Sequence, residues 1–348
     1  MAELDPTTGY LHDSLEQPAA LEATRLGLEV DFDLGALAER LARGEFQRIL
    51  LTGMGSSYHA QYPLFYTLAE HGLPAVMIET GELVYHAAGL VGPDALIVAV
   101  SQSGRSAEIV RLLDLVDGRG GSVLGVTNTP GSPLEQRSAA RLLTRAGEEA
   151  TVSCKTYIAG LLALDWLGDA LTGGGLAAAR GEARQISAAV QVYLNGWRDR
   201  VAELEGMLAG IAHVFLAGRG GSLAACGTGG LITKESAHVH AEGMSSAALR
   251  HGPLEMLGPD CFGLVFAGDE NTRTLNFRLY EDMRAAGCPA GWVEMNPGHT
   301  PFDLPPAPAR LLPILEILPV EMLTLALAHL RGHVPGAFVR GTKVTVTE

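Results

Sequence analysis

Basic residues are scarce in this chain: 25 Lys and Arg stand against 39 Asp and Glu, a formal charge of −14 over 348 residues. They are also scattered, so the positive surface that a phosphate backbone needs is absent and nucleic acid is excluded as a partner. A small anionic ligand is not excluded, because local amides can hold one. Cysteine is scarce as well. Cys154, Cys226, Cys261 and Cys288 show no Cys-x-x-Cys spacing, which argues against a disulfide framework or a zinc ribbon and fits reduced thiols in the cytoplasm. No run of about eighteen consecutive apolar residues occurs, so no membrane span is expected. The start, Met1-Ala2-Glu3-Leu4-Asp5-Pro6, lacks a basic region followed by an apolar core and does not read as a signal peptide. His238-Val239-His240 is the nearest approach to a metal motif. Read on a helix, residues two apart face different ways and no third ligand adjoins them, so neither a metal nor another cofactor is expected.

What is present is apolar and patterned. Hydrophobic residues make up 47% and charged residues 18%, the balance of a well-buried globular enzyme rather than a disordered chain. Ala95 to Val100 has no polar residue, as a strand buried on both faces of a parallel sheet would. Ser101-Gln102-Ser103-Gly104 follows, and then Ser106 to Asp117, with Ile109, Leu112, Leu113 and Val116 at helical spacing. A strand, a hydroxyl-rich turn and a helix start suit an anion: free N–H groups and the helix dipole point at the turn. Ser101, Ser103 and Ser106 add hydroxyls, and Gly104 lets the backbone approach. The plainer alternative is a helix capped by Ser103 or Ser106.

Taken in order, residues 1–45 read as a polar arm and helices, with Ser14 capping a run through Leu26. Arg48 to Thr52 is a strand ending in Gly53-Met54-Gly55-Ser56-Ser57-Tyr58, followed by a helix to about Glu70. Pro74 to Glu79, Ala95 to Val100, Ser122 to Thr127 and Arg141 to Thr144 are further strands. Strands alternating with helices imply right-handed parallel crossovers and a doubly wound sheet. Ligands in such sheets sit beyond the carboxyl ends of strands, which is where both serine-rich turns fall. An Ala-rich helical segment from Thr156 to Leu208 is broken at Gly173-Gly174-Gly175. The pattern then restarts: Val214 to Ala217 runs into Gly218-Arg219-Gly220-Gly221-Ser222. Gly92-Pro93-Asp94 before one strand is echoed by Gly258-Pro259-Asp260 before Phe262 to Phe266. Both echoes are offset by about 165 residues, which implies a duplicated domain. After Phe266 come Ala267-Gly268-Asp269-Glu270, with acids in place of serines, so the second copy is not expected to bind phosphate there. Pro319 starts a last helix to about Leu330. The resulting division is an arm at 1–45, one domain at 46–175, a linking helix at 176–208, a second domain at 209–333 and a tail at 334–348.

Three reactive side chains stand out. Glu235 lies in a stretch from Leu223 to Leu249 whose other acidic or lysine residues are only Lys234 and Glu242, so a raised pKa suited to proton transfer is expected. The alternative is an ion pair with Lys234 or Arg250. His251 precedes Gly252-Pro253, and Lys343 lies in the tail; by themselves these read as a structural histidine and a solvated lysine.

Together these residues resemble the sugar isomerase (SIS) domain family, in the double-domain form of the isomerase half of glucosamine-6-phosphate synthase. The resemblance runs from Glu16-Gln17-Pro18 through Met54-Gly55-Ser56-Ser57-Tyr58, Ser101-Gln102-Ser103-Gly104, Lys155 and Gly218-Arg219-Gly220. It continues through Lys234-Glu235, His240-Ala241-Glu242 and His251-Gly252-Pro253 to Lys343-Val344-Thr345. It implies an α/β fold of two tandem doubly wound, flavodoxin-like parallel-sheet domains. It also implies a sugar 6-phosphate held by Ser57, Ser101, Gln102, Ser103 and Ser106, with Gly55, Ser56 and Val152 at the same site. Glu235 would move a proton between C1 and C2, His251 would open the sugar ring, and Lys343 would form a Schiff base with the ketose. The histidine comes from the neighbouring subunit in this family, so a homodimer is implied. The chain departs from the family at Ile232, where a lysine is usual, at Pro335-Gly336, where Pro-Arg is usual, and at Arg105, where an acid is common. No counterpart of the synthase's glutaminase domain is expected, since position 2 is Ala and no Cys precedes Cys154. The readings left open are an aldose–ketose isomerase or amino-sugar-phosphate deaminase, a deglycase for phosphorylated Amadori adducts, and a phosphosugar-binding regulator without turnover.

Overall fold

Among the described residues, ten parallel strands form two five-stranded sheets. The computed structural model describes residues 4–174, 176–296, 298 and 300–343; Gly175 and the tail beyond Lys343 lie outside them. The first sheet comprises β1 (Arg48–Gly53), β2 (Ala75–Met77), β3 (Ala95–Val100), β4 (Ser122–Thr127) and β5 (Ala140–Leu143), ordered β2-β1-β3-β4-β5. The second comprises β6 (His213–Gly218), β7 (His240–Ser245), β8 (Cys261–Phe266), β9 (Ala290–Met295) and β10 (Asp303–Leu304), ordered β10-β9-β8-β6-β7. Read from its β7 edge, the second sheet repeats the order of the first, and each order is the flavodoxin-like doubly wound one. The chain is α/β with two SIS-like domains.

The chain divides into two compact units. Among the described residues, one joins 19–148, 155–184 and 342–343 and contains the first sheet; the other joins 4–18, 149–154 and 185–341 and contains the second. In the first-sheet unit, Leu50, Ile97 and Ala99 pack against Ile109, Leu112, Leu113 and Val116 of helix Ala107–Arg119. In the second-sheet unit, Phe215, Ala217 and Val265 pack against Leu279 and Met283 of helix Glu270–Ala285. All six residues of β3, and all six of β8, are buried.

Several elements differ from the sequence expectation. The helix after β1 is two pieces, Ser56–His59 and Tyr62–Glu70, with Pro63 in the first turn of the second, the position that tolerates a missing N–H. Ser14 caps nothing: it lies buried inside helix Gly9–Leu15. The last helix begins at Leu312, and Pro319 sits within it. That proline costs a backbone hydrogen bond, yet residues Pro313 to Ala328 are all buried, and their burial outweighs the loss. This helix is long and apolar enough to cross a membrane, but its side chains from Pro313 to Ala328 are buried inside the protein, which makes it a core helix.

Candidate active site

The first sheet reverses its strand order between β1 and β3, which pair in parallel with Gly53 beside Val100. At such a switch point the loops after the two strands diverge and leave a crevice. The two serine-rich turns therefore leave neighbouring strands at one edge. Gly104 has φ +61°, and a Cβ there would come 2.3 Å from Ser132 Oγ and 2.9 Å from Thr127 Oγ1, so only glycine fits. The turn is tied down: Asn128 N–H and the Thr127 and Thr129 hydroxyls all donate to the Gln102 carbonyl, at 3.1, 3.2 and 3.1 Å. Ser101 Oγ accepts from Gly104 N–H at 3.1 Å, and Ser103 Oγ accepts from Arg105 N–H at 3.4 Å. Each hydroxyl used as an acceptor retains its own proton to donate. Ser106 occupies the N-cap position of helix Ala107–Arg119 with extended backbone, but its side chain makes no capping bond. The first N–H groups of that helix thus lack side-chain caps, as an anion site requires. Ser101 and Ser103 are buried and Gln102 and Ser106 half-buried, while Gly55, Ser56 and Ser57 are half-buried beside the first turn.

The remaining candidates are placed as follows. Val152 is buried in Glu149–Cys154, a segment that groups with the second-sheet unit. Lys343 is half-buried and groups with the first-sheet unit. Glu235 is half-buried in the last turn of helix Leu223–Ala237, whose end leads into the start of β7. His251 is exposed beyond the other end of β7, just after helix Ser246–Arg250. The length of a six-residue strand, roughly 17–20 Å, thus separates the two ends where Glu235 and His251 stand. Arg250 pairs with Asp282 at 2.6 Å, so that arginine already has a carboxylate partner. Ile232 is fully buried, so the position of the family lysine is part of the core. His238 and His240 do not share a helix: His238 ends it in the left-handed conformation, and His240 opens β7.

Two acids that the sequence reading passed over are buried on the last helix. Glu316 Oε1 accepts from Ser222 Oγ at 2.7 Å, while its Oε2 is buried without a hydrogen-bond partner. Burial pushes the Glu316 carboxyl up to about 7, with a further push from Asp269 and an opposing pull from Ser222. Glu321 accepts from Gln17 Nε2, and burial holds its carboxyl well above the usual range, the Gln17 bond acting against it. The signal was visible in Leu-Pro-Ile-Leu-Glu-Ile-Leu-Pro-Val-Glu: two acids inside an otherwise apolar run must be buried and neutralised or paired. Cavities of about 520 Å³, around Asp31 and Arg145, and about 650 Å³, around Trp197 and His329, lie away from all the expected site residues.

The sheet order and the serine turn at its switch point define the class, a duplicated α/β protein with an SIS-type edge. The SIS domain profile matches residues 45–168. The glutamine–fructose-6-phosphate aminotransferase [isomerizing] of Pyrococcus horikoshii is 30% identical over 96% of this chain and 57% of its own length. The chain therefore spans a little over half of that relative. Among solved structures, the C-terminal domain of glucosamine-fructose-6-phosphate aminotransferase from Francisella tularensis matches with a TM-score of 0.81, at 22% identity, covering 94% of this chain and 97% of that one. Glucosamine-6-phosphate deaminase from Thermotoga maritima matches with a TM-score of 0.76, at 20% identity, covering 96% and 100%. The chain thus carries an SIS domain within a fold of two SIS-like domains.

Proposed function

We propose that this chain is a phosphosugar enzyme that isomerises, or deaminates while isomerising, a ketose or amino-sugar 6-phosphate. The observation that carries the reading is the turn Ser101–Gly104: a locked backbone with hydroxyl protons left to donate, beside an uncapped helix start at the sheet's switch point. That is the chemistry of a phosphate monoester site. The names of the relatives agree, since they act on fructose 6-phosphate or glucosamine 6-phosphate.

On this reading His251 opens the sugar ring, and Glu235 carries the proton between C2 and C1. With glucosamine 6-phosphate, moving the C2 proton to C1 yields the C2 imine of fructose 6-phosphate. Lys343 displaces ammonia from that carbon, and water then releases the ketose and restores the amine. One water enters and one ammonia leaves. Because Glu235 and His251 flank opposite ends of β7, we propose that a second copy of the chain supplies the histidine and that the working form is a homodimer.

The test is to incubate the purified chain with glucosamine 6-phosphate and assay ammonia and fructose 6-phosphate against Lys343→Ala. Both products in equal amounts, lost in the variant, support deamination. Conversion of fructose 6-phosphate to an aldose 6-phosphate without ammonia release supports isomerisation alone. Tight binding with no product from either sugar would overturn the enzymatic reading.

A further inference from the structure

The two histidines of His238-Val239-His240 do face apart, but each faces another histidine. His240 meets His213, its neighbour across β6 and β7, with ring centres 5.4 Å apart. His238 meets His333, with ring centres 4.9 Å apart at 52°. His333 follows the long helix Leu312–Leu330 and is far from His238 in sequence, so no local pattern could announce the pair. Both rings of the second pair belong to exposed residues, whereas His213 Nδ1 is buried and without a partner.

His238 also has an unusual backbone. It closes helix Leu223–Ala237 at φ 53° and ψ 35°, a left-handed position usually given to glycine or asparagine. Only Arg145 shares a positive φ among the described non-glycine residues. A histidine there carries backbone strain that a glycine would not, which asks what its ring does. A short way beyond His333, Gly336 N–H donates to the Ser236 carbonyl at 3.4 Å. The segment leaving the long helix is therefore laid along the last turn of the helix that carries Glu235.

We propose that His238 and His333 form a two-imidazole site for a borderline transition-metal ion, Zn²⁺ being the representative case, which fastens the root of the C-terminal segment to that helix. Imidazole nitrogens bind zinc at about 2.0–2.1 Å in tetrahedral geometry, and the ring centre lies about 1.1 Å further out. Two imidazoles sharing one ion then have centres about 5.2 Å apart, close to the 4.9 Å separation seen here. Among the described residues no group of three His, Cys, Asp or Glu gathers around a metal position. The protein thus supplies two ligands and water completes the shell, which makes the site weaker than a structural zinc centre and selective by ligand type. The proposal concerns metal binding and stands apart from the sugar chemistry.

The test is calorimetric titration of the full chain with zinc chloride in a non-coordinating buffer with excess Mg²⁺, which prefers oxygen ligands. His238→Asn keeps a residue suited to the left-handed cap while removing the imidazole, and His333→Asn removes the other. One Zn²⁺ per chain is expected, weakened at least about tenfold in each variant and unchanged in His213→Asn. Zn²⁺ should also slow tryptic cleavage after Arg340 in the native chain but not in His333→Asn. Absence of zinc binding up to about 1 mM, or binding that both variants leave intact, would overturn the site. Loss of binding only in His213→Asn would place the ion on the strand pair and equally refute it.

Discussion

Ser57 and Ser222 stand at matching places, each the fourth residue after the glycine that ends the first strand of its sheet. Ser57 is half-buried at the first sheet's crevice. Ser222 is buried, and its hydroxyl is committed to Glu316. The turns after β3 and β8 compare in the same way. Gly104 and Gly268 both have positive φ, +61° and +68°, so the backbone path is shared. Around Gly104 the side chains are Ser101, Ser103 and Ser106; after Gly268 comes Asp269, which caps its helix by accepting from Thr272 N–H at 3.1 Å. One copy keeps hydroxyl protons at its carboxyl edge, while the other fills the equivalent edge with its own carboxyl groups. The fold is neutral between these outcomes, and the side chains on its turns decide. On this account each chain holds one phosphate, at the first sheet only.

The largest effect that would sharpen the comparison is on the turn itself. Gly104→Ala adds a Cβ that clashes with Ser132 and imposes a strained φ, so it should cost roughly 2–4 kcal/mol of stability and abolish phosphosugar binding. Urea unfolding and a binding titration check it, and an unaffected variant would mean the turn is not locked. Next comes Glu316→Gln. In native protein the Glu316 carboxyl titrates near 7 against the ordinary carboxylate range when unfolded. As pH rises from about 4.5 to 7, the unfolded state loses its proton first, so stability falls across that window and then levels off. The variant should therefore gain about 2.5 kcal/mol over the native protein between pH 5 and pH 8. A difference that is flat with pH in urea unfolding would contradict the raised value. The smallest effect compares the two helix caps. Asp269→Ala should cost about 1 kcal/mol of stability, with phosphosugar affinity unchanged. Ser106→Ala, which removes no capping bond, should leave the melting temperature in place and weaken that affinity. The opposite assignment would reverse the comparison.

How much of this was legible depended on whether the pattern was local. β3 and β4 were readable to the residue because Ala95 to Val100 and Ser122 to Thr127 are bounded apolar runs. Two hydroxyl-rich turns at strand ends pointed to one sheet edge before any geometry was known. β7 was not readable, since His240-Ala241-Glu242-Gly243-Met244-Ser245 has no β-branched residue and little alternation. It is a strand because β6 pairs with it throughout and helix Leu223–Ala237 packs so closely that a Cβ on Gly243 would overlap the Cys226 carbonyl. Pro319 suggested a helix start on the usual rule, which total burial overrode. The Ser222–Glu316 and His238–His333 contacts join residues far apart in the chain, and no periodicity carries such information.

The central claim is that the hydroxyls of the first sheet hold the phosphate and their counterparts in the second do not. Titrating fructose 6-phosphate into the native chain, Ser101→Ala with Ser103→Ala, and Ser222→Ala tests it in one calorimetric series. The account predicts one equivalent bound per chain, weakened by roughly 1–3 kcal/mol in the first variant and unchanged in the second. Native affinity in the Ser101/Ser103 variant, or two equivalents bound by the native chain, would contradict it.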